Sequence, residues 1–148
     1  MEVKELGHIV LYVRDLERSR AFYRDVLGWT EITELGGFGA MFSSGRTHHE
    51  LLLIEVGNDA TPIPQGRRVG MYHFGLKVGT TDDELRDAYR KLVDSGVPVL
   101  GSADHHVTHS LYIADPDGNE IELYIDVQPE RWREDPSVIA GAPKPLRL

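Results

Sequence analysis

The sequence predicts an α+β fold made of two βαβββ modules, and three observations lead there. Strand and helix signals occur in one order and then recur in that order. The strands alternate apolar and polar residues. A stretch at 57–69 with two prolines and two glycines separates the copies. Together these give residues 1–128 as one domain of two modules, about 5–57 and 70–127, with an extended C-terminal tail over 129–148.

The first strand is predicted over 7–13, with Ile9, Leu11 and Val13 on one face and His8, Val10 and Tyr12 on the other. Asp15 is a helix N-cap, Leu16, Ser19, Tyr23 and Val26 follow at helical spacing, and Gly28 is a stop. Short strands follow at 30–35 and 39–43, split by Gly36-Gly37, and 51–56 reads as a buried strand.

Beyond the linker, 71–78 is a strand with His73, Gly75 and Lys77 opposite its apolar face. Thr81-Asp82-Asp83-Glu84 has the form of a capping box. Leu85, Ala88, Leu92 and Val93 make one stripe, and Gly96 ends the helix. Strands are predicted at 97–101, 109–114 and 120–126, the last two joined by the turn Asp115-Pro116-Asp117-Gly118-Asn119. Four prolines after Asp126 suit an extended tail.

Composition narrows function. Hydrophobic residues at 41% and charged residues at 27% are the balance of a globular protein. A net charge of −8 argues against nucleic acid, which needs clustered Lys and Arg. No apolar run approaches the roughly 20 residues that span a bilayer, and the N-terminus carries charge where a signal peptide is apolar. With no cysteine, thiolate ligands and nucleophiles are excluded, and the cytoplasm is the expected compartment.

His8 and His73 hold equivalent places in the two modules, on the strand face opposite the apolar one. Glu122, between Ile121 and Leu123, points the same way, and so does Tyr112 between Leu111 and Ile113. A lone histidine or glutamate in a strand is ordinarily structural; the repetition is what suggests one metal-binding cup. Two imidazoles and one carboxylate suit a first-row divalent ion and leave positions open, as in non-haem Fe(II) oxygen chemistry.

With SLYIADPDGNEIELY over 110–124, the chain resembles the vicinal oxygen chelate superfamily of glyoxalases, bleomycin-resistance proteins and dioxygenases. His48-His49-Glu50-Leu51, Asp104-His105-His106-Val107-Thr108 and Tyr112 resemble its extradiol ring-cleavage branch. The resemblance implies metal ligands His8, His73 and Glu122, with Fe(II) or else Mn(II). It implies an acid–base role for His49, and His105 and Tyr112 as the pair that hydrogen-bonds substrate, with His106 competing for the place of His105. The implied reaction is cleavage of a catechol-type aromatic diol by O2 in a homodimer.

Two other readings stand beside it. A glyoxalase- or isomerase-like enzyme needs a carboxylate in each module, but Leu52 occupies the place matching Glu122, so Glu50 would have to serve. A drug-binding protein of the bleomycin-resistance type would need no metal. Tyr12, Phe38, Met41 and Trp132 are candidate pocket residues.

Overall fold

A computed structural model describes residues 1–148. Contacts divide the chain into two compact units, Met1–Ile63 and Pro64–Leu148, with the division inside the Pro- and Gly-containing stretch. The first unit runs β1 (Ile9–Val13), α1 (Leu16–Ala21), a π-helical turn (Phe22–Val26), β2 (Thr30–Leu35), β3 (Gly39–Ser43) and β4 (Leu51–Glu55). The second runs β5 (His73–Gly79), α2 (Asp82–Asp94), β6 (Gly101–Asp104), β7 (Thr108–Ala114) and β8 (Glu120–Asp126).

Each unit carries a four-stranded sheet, in the order β1-β4-β3-β2 and β5-β8-β7-β6. The βαβββ expectation therefore holds twice. The hairpins are antiparallel, but the first and last strand of each unit lie side by side and parallel. Helix plus two strands is a connection long enough for that parallel crossover.

The strand faces follow the alternation in the sequence. Along β8, Ile121, Leu123 and Ile125 are buried while Glu120, Glu122, Tyr124 and Asp126 are only partly covered. Helix α2 packs on β5, β7 and β8 and inserts Leu85 and Leu92, both essentially inaccessible. In the first unit α1 packs on β3 and β4, with Leu16, Phe42, Leu51 and Leu53 at the centre. Each such side chain stabilises its unit by about 1.5–3 kcal/mol relative to exposure.

Both helices start as their caps dictate. The Asp15 carboxylate accepts from the Arg18 amide at 2.9 Å. The Thr81 hydroxyl accepts from the Glu84 amide at 3.3 Å, and the Glu84 carboxylate accepts from the Thr81 amide at 2.9 Å. Both end on a left-handed glycine, Gly28 at φ 73° and Gly96 at φ 69°. The following amides reach back alike, Trp29 to the Tyr23 carbonyl and Val97 to the Leu92 carbonyl.

Four details differ from the sequence reading. Helix α1 stops at Ala21 and continues as a wider turn that keeps Phe22 and Tyr23 buried, edge to face with ring centres 5.2 Å apart. Strand β1 begins at Ile9 and β5 at His73, because no ladder partner precedes them. Strand β6 begins at Gly101, later than expected, because Val97–Leu100 serves to leave the helix and pairs first through the Leu100 amide to Tyr112. The tail is not extended throughout: it forms a short helix α3 (Arg131–Glu134) and a 3-10 turn (Pro136–Ala140), then bridges Lys144 to Asp104.

The β7–β8 turn rests on Asp115, 5% exposed. Its carboxylate accepts from the Asp117 amide at 3.0 Å, the Asn119 amide at 2.8 Å and the Asn119 side chain at 2.8 Å. Asp115→Ala should lower unfolding free energy in urea by about 2–3 kcal/mol, since each lost bond had a charged acceptor. Asp115→Asn should recover part of that loss.

Candidate metal centre

In the second unit, parallel pairing sets His73 opposite Glu120 and Gly75 opposite Glu122. Antiparallel pairing sets Tyr112 opposite Glu122. The side chains meet accordingly: His73 Nε2 lies 3.1 Å from Glu122 Oε2, and the Tyr112 hydroxyl donates to Glu122 Oε1 at 3.2 Å. His105, in the β6–β7 turn, puts Nε2 2.7 Å from the Tyr112 oxygen.

The phenol has one proton to give. Because it goes to Glu122, the Tyr112 oxygen must accept from His105, and so His105 carries its hydrogen on Nε2. A directional chain results, His105 to Tyr112 to Glu122. Burial first, and then the charge and hydrogen bond of Glu122, push the Tyr112 hydroxyl up to about 12. Tyr112 is thus held as a donor and not as a phenolate.

His73 and Glu122 fit a divalent ion. Two donors each about 2.1 Å from one ion at a right angle stand about 3.0 Å apart, close to the 3.1 Å found. The other ring nitrogen, His73 Nδ1, is buried without a hydrogen bond, and its nearest carboxylate, Glu120 Oε1, is 3.6 Å away. A metal on Nε2 would leave the hydrogen on Nδ1, directed at a carboxylate of the kind that orients ligating histidines. Glu120 was not singled out from the sequence, although its spacing of two from Glu122 places it on the same strand face.

In the first unit His8 precedes β1 and is exposed, its backbone fixed by the Ile9 amide donating to the Glu50 carbonyl at 2.9 Å. Its ring stands 4.5 Å from that of His49, centre to centre. His49 Nδ1 in turn lies 2.6 Å from His48 Nδ1, so one ring donates and the other accepts. Burial first, and then the neighbouring His8 and His48, hold the His49 imidazole below its ordinary value and favour the neutral ring. Within either unit alone, no three His, Asp or Glu side chains are gathered to hold a metal ion.

Glu50 is otherwise engaged. Its carboxylate accepts from the Ser44 amide at 2.5 Å, the Ser44 hydroxyl at 2.6 Å and Arg46 Nε at 2.9 Å. Arg46 also donates to the Leu6 and Gly7 carbonyls, so the pair ties the segment before His8 to β4. In register Val10 faces Leu52 as Gly75 faces Glu122, which makes Leu52 the counterpart of Glu122 and Met41 that of Tyr112.

The remaining histidines have local partners. His109 Nδ1 sits 2.6 Å from Asp82, and His106 Nε2 sits 3.0 Å from the Ala142 carbonyl. Of the candidate pocket residues, Tyr12, Phe38 and Trp132 are exposed, with the Arg133 guanidinium over the Trp132 ring at 4.8 Å.

Residues 5–123 match the family profile described as Glyoxalase/Bleomycin resistance protein/Dioxygenase superfamily. The chain belongs to this superfamily. It is 33% identical over 134 residues to a catechol-2,3-dioxygenase of Bacillus subtilis (strain 168), covering 90% of this chain and 46% of the relative. It thus spans about half the length of that relative. It is 30% identical to a metallothiol transferase FosB of Lysinibacillus sphaericus (strain C3-41), covering 88% of this chain and 89% of the relative. The crystal structure of lactoylglutathione lyase from Agrobacterium tumefaciens superposes with a TM-score of 0.63 at 28% identity, covering 84% of this chain and 96% of that one. No helix of this superfamily member is long and apolar enough to cross a membrane.

Burial opposes the Glu50 charge, but the Ser44 and Arg46 hydrogen bonds outweigh it and hold the carboxyl below its ordinary value. A depressed carboxyl adds stability that is present above the unfolded value of about 4.3 and lost as pH falls through the folded one. Glu50→Gln should therefore lower stability by about 1–2 kcal/mol at neutral pH, and the gap to wild type should close on acidification below about pH 4. Urea titrations across pH measure this directly.

Proposed function

We propose that the chain is a metal-dependent extradiol dioxygenase that opens a catechol-type aromatic diol with O2, its Fe(II) or Mn(II) held by His8, His73 and Glu122. The observation that carries the reading is the inequality of the two repeats: Leu52 stands where the second unit has Glu122. Glu50, the carboxylate that would have to replace it, is bound to Ser44 and Arg46. Two histidines and one carboxylate leave more than one position for outside ligands, which oxygen chemistry requires.

When bound, such an ion supplies Lewis acidity and a common anchor that holds diol and O2 adjacent. The protein's own groups do the rest. His49, in the role the family resemblance suggests, takes the proton of a diol hydroxyl and returns it later. Tyr112, accepting from His105, turns its one proton from Glu122 to developing negative charge on substrate oxygen. With a metal on Nε2, Glu120 would be the carboxylate to orient His73, closing the 3.6 Å that separates it from Nδ1.

A second reading has its own support. The metallothiol transferase and lactoylglutathione lyase match this chain over 89% and 96% of their lengths, whereas the dioxygenase relative is about twice as long. The alternative is a metal-dependent, O2-independent reaction on a thiol or thiol adduct.

The two separate in one experiment: load the metal-free protein with Fe(II) without oxygen, then add catechols and O2 while following visible absorbance and oxygen uptake. Ring cleavage gives a yellow product and consumes O2. Silence with every catechol, together with turnover of a glutathione hemithioacetal under Ni(II) or Zn(II), would falsify the dioxygenase assignment. His73→Ala and Glu122→Ala should each abolish metal retention on gel filtration. Tyr112→Phe should keep the metal and lower kcat by about a hundredfold.

A further inference from the structure

The proton-donating chain begins at His105, and His105 lies on a turn whose shape is not self-sufficient. Between β6 and β7 the chain reverses through His105-His106-Val107, with the His105 amide donating to the Thr108 carbonyl at 2.8 Å and the Val107 amide to the His105 carbonyl at 2.9 Å. The reversal requires His106 to take φ 71°, a left-handed conformation that side-chain-bearing residues rarely adopt. The Asp104 carboxylate supports it by accepting from the His106 amide at 2.7 Å. That hydrogen bond is the first cause holding the Asp104 carboxyl below its ordinary range.

Further support comes from the far end of the sequence. The Asp104 amide donates to the Lys144 carbonyl at 2.9 Å, and the Lys144 amide returns a bond to the Asp104 carbonyl at 2.8 Å. His106 Nε2 donates to the Ala142 carbonyl at 3.0 Å. The tail passes so close to the imidazole that a Cβ on Gly141 would come within 2.7 Å of His106 Nε2 and 2.9 Å of its Cδ2. These contacts grip the turn on both sides of His105 and leave the His105 ring facing Tyr112.

We propose that the C-terminal segment 141–144 is a positioning element of the active site, acting through His106 to hold His105 against Tyr112. His106 and Gly141 touch neither Tyr112 nor Glu122; they act on the chemistry only by fixing the turn that carries His105. Gly141 has an ordinary extended backbone, φ −63° and ψ 146°, so its requirement is for space beside His106 and not for conformation. This rests on the dioxygenase reading for its catalytic consequence, but its structural content does not.

The test uses two variants of the full-length chain, Gly141→Ala and His106→Gly. The first pushes the His106 ring off the tail. The second removes the ring while allowing the left-handed backbone. Imidazole nitrogen NMR of the metal-free protein reads His105 directly. In wild type its ring should show the fixed Nε2–H form that donation to Tyr112 requires, and in both variants the two nitrogen signals should move toward averaged values. In the Fe(II)-loaded enzyme, kcat for a catechol should fall about tenfold while metal content and KM stay near wild type. Neither variant should lower kcat further in a His105→Ala background, because coupled residues act once.

Unchanged His105 nitrogen signals in both variants overturn the proposal, and so does a full additional loss in the His105→Ala background. If one variant does not fold, the other decides. Should the wild type cleave no catechol, the reaction assigned above fails, while the nitrogen spectra still decide whether the tail holds His105.

Discussion

In each unit the first strand and the last lie side by side and parallel, and everything at the candidate centre descends from that pairing. Because β5 and β8 run together in register, a histidine on the first residue of one reaches a carboxylate on the other, though they are far apart in sequence. The helix and two strands between them are what permit a parallel neighbour, and the same helix then buries the opposite sheet face. Core and chemistry are thus two sides of one ladder. Tyr112 joins from the neighbouring strand β7, directly opposite Glu122.

Much of this was legible in the sequence because period-two alternation is a strong signal. Reading Ile121, Leu123 and Ile125 as inward left Glu122 outward with no further information. The Thr81–Glu84 capping box, the Asp115 turn and the glycine stops were equally local, and each forms as its residue types dictate. What could not be read was set by irregular loop conformation or by partners distant in sequence. That Glu50 is engaged by Ser44 and Arg46 depends on a loop conformation with no periodic mark. Glu120 and its approach to the unbonded His73 Nδ1 needed the β5–β8 register. The tail departs from an extended path because its prolines exclude long helices but not a short helix or a 3-10 turn.

The repeat is geometrically faithful and chemically unequal. Strand order, parallel pairing, helix caps and glycine stops recur in both units. Yet Leu52 and Met41 occupy the positions that hold Glu122 and Tyr112 in the second unit. The first unit instead has three histidines near one another, two of them joined by a hydrogen bond between ring nitrogens. The two units share what packing requires and differ in their outward side chains.

That separation is strict along β8, where odd-numbered residues are buried and even-numbered ones are half-covered. Parity divides the strand into positions that can drift and positions that cannot. A point substitution at an even position changes the outward face and leaves the interior untouched. A single-residue insertion or deletion inverts the parity downstream, exporting isoleucine and importing glutamate. On such a strand, inheritance should tolerate changes of letter and reject changes of length.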